Sequence, residues 1–377
     1  MKKQVLYLMA LAAVFTACEK EAVEEYVPQE IRLGAEFPLD EAVVTTRNEN
    51  QGLNNDILET GTNVGVFIYY TGEKNINADG YGYKNLSYNS AAAETRVGKK
   101  YCDLNLANGT RTPYYPSDKD KKIDFYAFSP RNAFTFAETP PELSTYATTK
   151  ASFTTKADQT SDVNYRLSDF IWGKNVNTVN AETYRTQQVI VPMNHMLSKI
   201  CINLTEGHSM ANKLTGAKVV IHGVNLSGLV DLANGTMSTN GSTLSDVTLT
   251  SSLTNTLRSA TTEYPGGGGA PTDGVTHYKY TTACVVIPQK VNANKATDFN
   301  FLSITLADGG TSNNSTTEGT TYDYVTSQIV GDATNGFQQG KVYTFNITLN
   351  ATGIQLTTNV TDWIPADPTA GQATYRP

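Results

Sequence analysis

The chain has 377 residues, with 29 lysines and arginines against 36 aspartates and glutamates, which gives a formal net charge of −7. Such an acidic chain does not bind nucleic acid through charge, because that mode of binding requires a basic surface. The length is sufficient for two domains with their own cores. Tyrosine (21) far outnumbers tryptophan (2), and this composition, rich in threonine, asparagine and glycine, favours strands and turns over helices.

The first 17 residues are predicted to be an export signal. Lys2 and Lys3 precede an apolar run, residues 5–17, that is too short to span a bilayer permanently. The run ends in small residues before Cys18 and resembles the lipobox of bacterial lipoproteins, where lipoprotein signal peptidase removes the signal and the new N-terminal cysteine carries lipid. An ordinary secretory signal cleaved nearby is the alternative. Residues 18–28 are an acidic run that we interpret as a solvated tether.

The first strand is predicted at residues 30–37. Its apolar residues alternate with charged or small ones, so an extended chain places the apolar set on one face and Glu30, Arg32 and Glu36 on the other. The pattern indicates a half-buried strand. A polar segment that carries Arg47 follows, and a cut there would detach the strand from the rest of the chain. The apolar set is Ile31, Leu33, Ala35 and Phe37.

Strand-like runs recur along the rest of the chain, and no convincing amphipathic helix is found. Val64–Tyr70 is nearly all apolar, as expected of a strand covered on both faces. The polar residues 175–185 form a plausible domain junction. Beyond them, residues 189–204 are predicted to form a long strand pair or a bent strand, with the break at Pro192. The last strand, residues 354–363, places Ile354, Leu356, Thr358 and Val360 at the spacing of the apolar set in the first strand.

Three cysteines remain once Cys18 is assigned to lipid. Cys201 and Cys284 lie in strand-like contexts where a thiol behaves as a small apolar side chain. We therefore expect Cys102, Cys201 and Cys284 to be buried thiols, with one disulfide and one thiol as the alternative. The sequence shows no redox or zinc motif and no metal or cofactor site.

Catalysis finds little support in the sequence. The four histidines are scattered and belong to no HExxH motif, and there is no GxSxG nucleophile elbow. We interpret His195 as a hydrogen-bonded structural residue. The chain is therefore expected not to be an enzyme, although a glycosidase carboxylate pair has no sequence motif that would exclude it.

Several short motifs occur in order after the lipoprotein start. They are Tyr114-Tyr115-Pro116, residues 122–130, residues 195–200, residues 340–349 and Asp362-Trp363. Together with the lipoprotein start, these motifs resemble the fimbrillin (Mfa-like) family of Bacteroidetes lipoproteins. The resemblance implies an all-β fold of two transthyretin-like β-sandwich domains in tandem, placed here at residues 29–185 and 186–377. It also implies an outer membrane lipoprotein at the cell surface that assembles with other pilin subunits into a type V pilus used in adhesion.

In this family an arginine-specific surface protease removes the first strand, and donor-strand exchange follows. Carried onto this sequence, Cys18 is the lipidated residue, and the cut falls between Arg47 and Asn48. Residues 31–37 lie in the removed strand, and the last strand, residues 354–363, is the donor candidate. A groove lined for one apolar set could take the other. The last strand can equally be read as the final strand of its own sandwich, and the residues alone leave these alternatives open.

Two other functions stay open at this point. One is a lipid-anchored surface protein that binds a glycan or another ligand through tyrosine-rich strands and long loops. The other is a pilus anchor subunit that keeps its N-terminal strand and its lipid. A stalk or tip subunit should lose both after Arg47, and a host glycan or protein would be its adhesion target.

Overall fold

The structure is a computed structural model, and it describes residues 27–38, 58, 60–96, 99–136, 142–143, 151–184, 186–207, 210–211, 213–241, 243–253, 258–262, 274–292, 297–307, 318–350 and 353–362. Strands dominate these residues, which confirms the predicted all-β class. Within the same ranges, no helix is long and apolar enough to cross a membrane.

The strands of the described residues are numbered in chain order. They are β1 (Leu33–Pro38), β2 (Asn63–Tyr70), β3 (Tyr83–Ser90), β4 (Glu94–Arg96), β5 (Lys99–Leu106), β6 (Ile123–Ser129), β7 (Phe134–Thr135), β8 (Ala151–Thr154), β9 (Ile171–Val179), β10 (Val189–His195), β11 (Ser198–Glu206), β12 (Lys218–Val224), β13 (Ser227–Asp231), β14 (Thr236–Thr239), β15 (Ser245–Thr250), β16 (Arg258–Ala260), β17 (Tyr278–Val286), β18 (Phe299–Ala307), β19 (Glu318–Thr326), β20 (Lys341–Asn350) and β21 (Gly353–Asp362).

The strands of the first half close into a ring. The order around it is β1, β10, β9, β6, β2, β3 and β5, and β5 pairs again with β1, while β4 pairs with β5. The apolar run predicted to be covered on both faces is β2. Its Val64, Val66 and Ile68 point into the core of the ring, and Phe67 and Tyr69 point into a second core outside it. Both faces of β2 are therefore buried, as predicted.

The second half is a pair of packed sheets. One sheet has the order β16-β17-β11-β20-β21, and the other has the order β15-β12-β18-β19. Alternate residues of both sheets, such as Ile202, Ile221, Ile304 and Phe345, meet in one core, since side chains on a strand alternate between its two faces. β21 lies at the edge of its sheet, and β20 is its partner there.

A third sheet and a shared core join the two halves. The sheet has the order β14-β13-β8-β7, so it combines strands from both halves. The shared core includes Phe128 and Trp172 from the ring and Cys201 and Val285 from the second half. The indole Nε1 of Trp172 donates a hydrogen bond of 2.8 Å to the carbonyl oxygen of Leu232.

The structure differs from the sequence predictions in its local elements. It contains a helix that the sequence pattern does not predict, α1 (Asp162–Ser168); Ser161 caps it, with its hydroxyl accepting a hydrogen bond from the Asn164 amide. A second short helix, α2 (Ala181–Tyr184), follows β9, and Arg131–Ala133 is a turn of 3₁₀ helix. The strand pair predicted over residues 189–204 is present as β10 and β11, but the predicted break at Pro192 is wrong, because Pro192 lies within β10 and the chain turns after His195.

The position of β10 also bears on the domain division. The sequence places the start of the second domain at residue 186, but β10 hydrogen-bonds into the ring between β1 and β9. The ring therefore extends past that residue to His195. The expected buried thiols are confirmed: within the described residues, Cys102, Cys201 and Cys284 are all buried and form no disulfide.

Candidate assembly site

The N-terminal strand β1 fills a gap between β5 and β10, which we call the β1 slot. It runs parallel to β10, with Leu33 opposite Val189, and antiparallel to β5, with Leu33 opposite Leu104. Six residues of β1 are in register with β5 and four with β10. The slot thus fixes the direction and the register of whatever strand lies in it.

The inner face of β1 completes the core of the ring. Ile31 and Leu33 are 2% and 1% exposed, and Ala35 and Phe37 are fully buried, which confirms the predicted burial of the apolar set. The burial of each large side chain contributes about 1.5–3 kcal/mol. Since whole domains are stable by only about 5–15 kcal/mol, a ring with an empty β1 slot would lose much of its stability. The slot must therefore be refilled if β1 is removed.

The outer face of β1 differs from the prediction at Glu36. Glu30 and Arg32 are exposed as expected, but Glu36 is only 7% exposed. Its carboxylate accepts a hydrogen bond from the Lys99 ammonium on β5 and forms an ion pair with it. Lys99 keeps about a third of its side chain in solvent, so water moderates the strength of this pair.

Neighbouring side chains lie close to Gly34 on the same outer face of β1. A Cβ atom at this position would lie 3.0 Å from Ile190 Cδ1 and 3.1 Å from the Gln188 side chain. The Gln188 amide cannot easily withdraw, because its Nε2 donates to the carbonyl oxygen of Leu33 at 2.7 Å and to Asp103 Oδ1 at 3.0 Å. A side chain at the position of Gly34 would therefore require Ile190 or Gln188 to move by a few tenths of an ångström.

The strand leaves β5 at the N-terminal end of the slot. The Ile31 amide donates to the carbonyl oxygen of Pro113 at 2.9 Å, and the Tyr115 amide donates to that of Gln29 at 2.8 Å. This change of partner opens a groove of about 450 Å³, mostly polar, between β1 and the end of β5. Residues 30–33, Tyr88, residues 103–106, Thr186 and Gln188 line it. The Arg32 guanidinium donates a hydrogen bond to the carbonyl oxygen of Thr186 beside it.

One wall of the β1 slot carries a thiol. Cys102 on β5 lies directly opposite Ala35 and is 3% exposed. Burial raises the pKa of this thiol to about 12, because desolvation disfavours the thiolate. The thiol is therefore unreactive while β1 is in place.

The donor candidate lies in its own sandwich as β21. It pairs with β20 in antiparallel register from Gly353 to Asp362. Ile354 and Leu356 are half-buried against the core of the second half, whereas Thr358 is exposed and Val360 is 46% exposed. The apolar spacing shared with β1 thus serves the second sandwich over only half of the strand.

The remaining predicted site residues lie outside the described residues. These are Cys18, Arg47 and Asn48, together with Trp363. The residues that sequence reasoning missed are Gly34, Glu36, Lys99 and Gln188. The acidic residue within an otherwise apolar strand was a signal for a partner, but Lys99 could be identified only from the register between β1 and β5.

Two histidines make ordered contacts with carboxylates. His195 is 5% exposed, and its Nδ1 lies 3.0 Å from Asp169 Oδ1, which confirms its structural interpretation. His222 Nδ1 lies 3.0 Å from Asp246 Oδ2, and His222 Nε2 lies 2.7 Å from Ser303 Oγ. This is the connectivity of a nucleophilic triad.

The position of Ser303 argues against a nucleophilic role. Ser303 is 8% exposed, on a strand in the middle of its sheet. A groove of about 400 Å³ beside His222 is lined by Gly223, Leu244, Asp246, Asp298, Phe299 and Asn300, and Ser303 is not among its lining residues. The hydroxyl does not face the groove, so this cluster gives no support for catalysis.

The fold and the slot together define a class: an all-β chain in which the N-terminal strand closes a ring of strands. The sequence profile of the fimbrillin-like family matches residues 46–363. The match spans most of the chain, and the protein belongs to this family, as the sequence motifs indicated. No curated protein matches the chain at a significant level.

Solved structures from Bacteroides share the fold. A candidate cell-adhesion protein from Bacteroides uniformis is 18% identical, with a TM-score of 0.53, and the alignment covers 89% of this chain and 98% of that one. A candidate cell-adhesion protein from Bacteroides ovatus is 15% identical, with a TM-score of 0.55, over 91% of this chain and 100% of that one. At these identities the likeness establishes the fold alone.

Proposed function

We propose that this protein is a stalk or tip subunit of a type V pilus on the cell surface and acts in adhesion. In this proposal Cys18 carries lipid that holds the precursor at the outer membrane. An arginine-specific surface protease then cuts between Arg47 and Asn48 and releases β1. The last strand of a neighbouring subunit takes its place in the β1 slot, so that subunits join by donor-strand exchange.

The observation that carries the proposal is the double pairing of β1. The strand lies between β5 and β10, and its inner face completes the core of the ring. An extended segment in such a slot gains backbone hydrogen bonds on both edges and pockets for alternate side chains. A strand of this kind can be replaced by another extended segment of the same direction.

Membership of the fimbrillin-like family supports the same function. The matched region begins at residue 46, next to the proposed cut, so β1 lies outside it. The two Bacteroides structures of the same fold carry the description of candidate cell-adhesion proteins. For the present chain, adhesion and its target, a host glycan or protein, are part of the proposal.

The N-terminal sequence of the cell-surface form tests the proposal. A stalk or tip subunit should be recovered in polymers that begin at Asn48 and lack lipid. Recovery only of forms that begin at a lipidated Cys18 would contradict this role. It would instead identify an uncleaved anchor subunit or a lipid-anchored ligand-binding protein.

A further inference from the structure

We infer that the β1 slot selects its occupant by two outer-face positions and prefers a strand from a different subunit over β21 of a second copy of this chain. This inference rests on the proposed function, since it concerns what replaces β1. The two positions are those of Gly34 and Glu36. The partner that fits is an extended segment with alternating apolar residues, a glycine at the first position and a carboxylate at the second.

The first selective position is the narrow point at Gly34. The Gln188 side chain covers it and is held by hydrogen bonds to Leu33 and Asp103. Of these bonds, the one to the Leu33 carbonyl is made to the backbone, which any occupant provides. A β-branched residue in place of Gly34 must displace Gln188 or Ile190, because even a Cβ atom would lie at about 3.0 Å from both. The slot therefore discriminates by size here.

The second selective position is set by the charge of Lys99. Glu36 is 7% exposed and pairs with the Lys99 ammonium. Lys99 belongs to β5 and stays in the wall of the slot when β1 leaves. An occupant without a carboxylate would cover this ammonium, remove part of its hydration and offer no charge in return. The slot therefore also discriminates by charge.

The strand β21 has the alternating apolar residues that the slot requires. It has neither the glycine at the position of Gly34 nor the carboxylate at the position of Glu36. When Ile354 is placed at the position of Ile31, Thr357 falls at the position of Gly34 and Asn359 at that of Glu36. The first is β-branched and the second is neutral. β21 also pairs with β20 along its whole length in its own sheet. Insertion of β21 from one copy of this chain into the β1 slot of another copy is thus disfavoured. In this inference β21 instead enters the slot of a different subunit.

Peptide exchange into the cut chain tests the inference. The chain from Glu19 to Pro377 is cut with an arginine-specific protease, and its own N-terminal fragment is exchanged in moderate urea against an excess of synthetic peptide. The peptide retained after gel filtration is measured by mass spectrometry. The first set of peptides is Val27–Pro38 and its three single variants, Glu36→Gln, Gly34→Val and Glu36→Lys. The second set is Gly353–Asp362 and the same peptide with both Thr357→Gly and Asn359→Glu.

We expect the Val27–Pro38 peptide to be retained at least tenfold better than its Glu36→Gln or Gly34→Val forms. The substituted Gly353–Asp362 peptide should be retained at least tenfold better than the unchanged one. Strand propensity alone predicts the opposite result, because threonine has a higher strand propensity than glycine and its replacement by glycine should weaken pairing. Equal retention of the substituted and unsubstituted peptides would overturn this inference but would leave the proposed function standing.

A charge exchange provides the matched control. A Lys99→Glu chain should reject the Val27–Pro38 peptide and accept its Glu36→Lys form, whereas a chain with Lys74→Glu, in an exposed loop, should behave as the parent does. The same preference in the Lys99→Glu chain as in the parent would overturn the role of Lys99. If the Val27–Pro38 peptide itself fails to enter the cut parent chain, the proposed function fails, and the inference fails with it.

Discussion

Ala35 lies directly opposite Cys102 in the pairing of β1 with β5, and the buried thiol faces a strand that is proposed to leave. Cys102 therefore reports whether the β1 slot is filled. With β1 in place its pKa is raised to about 12 by burial, so at pH 8 only about one thiol in 10⁴ is ionised. In an open slot the pKa returns toward its ordinary value of about 8.5.

We predict that maleimide labelling of Cys102 at pH 8 is slow in the intact chain and at least about 10³-fold faster once β1 has been released. It should become slow again when a donor strand enters. Peptide mass mapping of the labelled sites measures this. Cys201 and Cys284 are fully buried in the rest of the molecule and serve as internal controls. If Cys102 labels at one rate in all three states, β1 does not leave the slot.

The inner face of β1 is predicted to be important for the stability of the precursor. Phe37→Ala should lower the free energy of unfolding by about 3–5 kcal/mol and Leu33→Ala by about 2–5 kcal/mol, because each leaves a cavity in the core of the ring. Urea unfolding of the uncut chain measures both. Val27→Ala is the control, since Val27 is 70% exposed and its loss should change stability by no more than about 0.5 kcal/mol. If Leu33→Ala and Phe37→Ala change the free energy of unfolding as little as Val27→Ala does, β1 is not part of the cooperative core.

The sequence predicted the inner face of the candidate site better than its surroundings. The alternation from Ile31 to Phe37 is a local pattern of period two, and all four residues are buried as expected. The walls of the slot are not local. Lys99 and Val189 meet β1 through long-range pairings, so the ion pair of Glu36 and the close fit at Gly34 could not be read from the chain.

The errors in the prediction of the fold have a similar origin. Pro192 is expected to break a strand, because proline lacks an amide donor, but it is accommodated within β10 opposite Glu36. The helix α1 is only seven residues long, and its cap at Ser161 is its main signal. Short elements with few apolar residues carry too little periodic pattern to be identified from sequence alone.

The burial of several tyrosines leads us to predict that the free energy of unfolding falls at high pH. Burial raises the pKa of Tyr126 to about 12, and it raises the pKa values of Tyr69, Tyr88 and Tyr115 further, because desolvation disfavours the phenolate. A group whose folded pKa lies above its unfolded value contributes stability below the unfolded pKa, here about 10, and loses it as the pH rises toward the folded pKa.

The free energy of unfolding should therefore be nearly constant from pH 7 to about 9 and should fall above about pH 10. Urea unfolding at a series of pH values measures it, and absorbance at 295 nm should show that buried tyrosines ionise only with unfolding. Tyr126→Phe should reduce the slope above pH 10, whereas Tyr114→Phe, at a side chain that is 40% exposed, should not. A flat profile through pH 11 would contradict the burial of these phenols.

Processing is predicted to depend on Arg47. Arg47→Ala should leave a lipidated monomer that retains β1 and does not assemble, because an arginine-specific protease finds no residue to cut at this position. Polymer ladders on gels run without boiling, together with the N-terminal sequence of the surface form, measure this. Arg32→Ala, at an exposed position just before β1, is the matched control and should leave cleavage unchanged. Unaltered ladders in the Arg47→Ala strain would exclude Arg47 as the processing site.

The donor role of β21 is predicted to require its apolar residues. Truncation after Gly353 should block polymer formation, but it also removes the edge strand of a sheet and the packing of Ile354 and Leu356. A finer change separates the two effects. Val360 is 46% exposed in its own sandwich, yet at the spacing shared with β1 it would occupy, in the slot of the accepting subunit, the buried position that corresponds to Phe37.

Val360→Asp should therefore leave the stability of the monomer within about 0.5 kcal/mol of the parent and still abolish donation, since the carboxylate would be buried without a partner in the slot of the accepting subunit. Val325→Asp is the matched control, because Val325 is 51% exposed on the edge strand β19 and plays no part in donation. Urea unfolding and polymer ladders of both variants measure the two properties. A Val360→Asp strain that polymerises as well as the Val325→Asp strain would show that the donor is a segment other than β21.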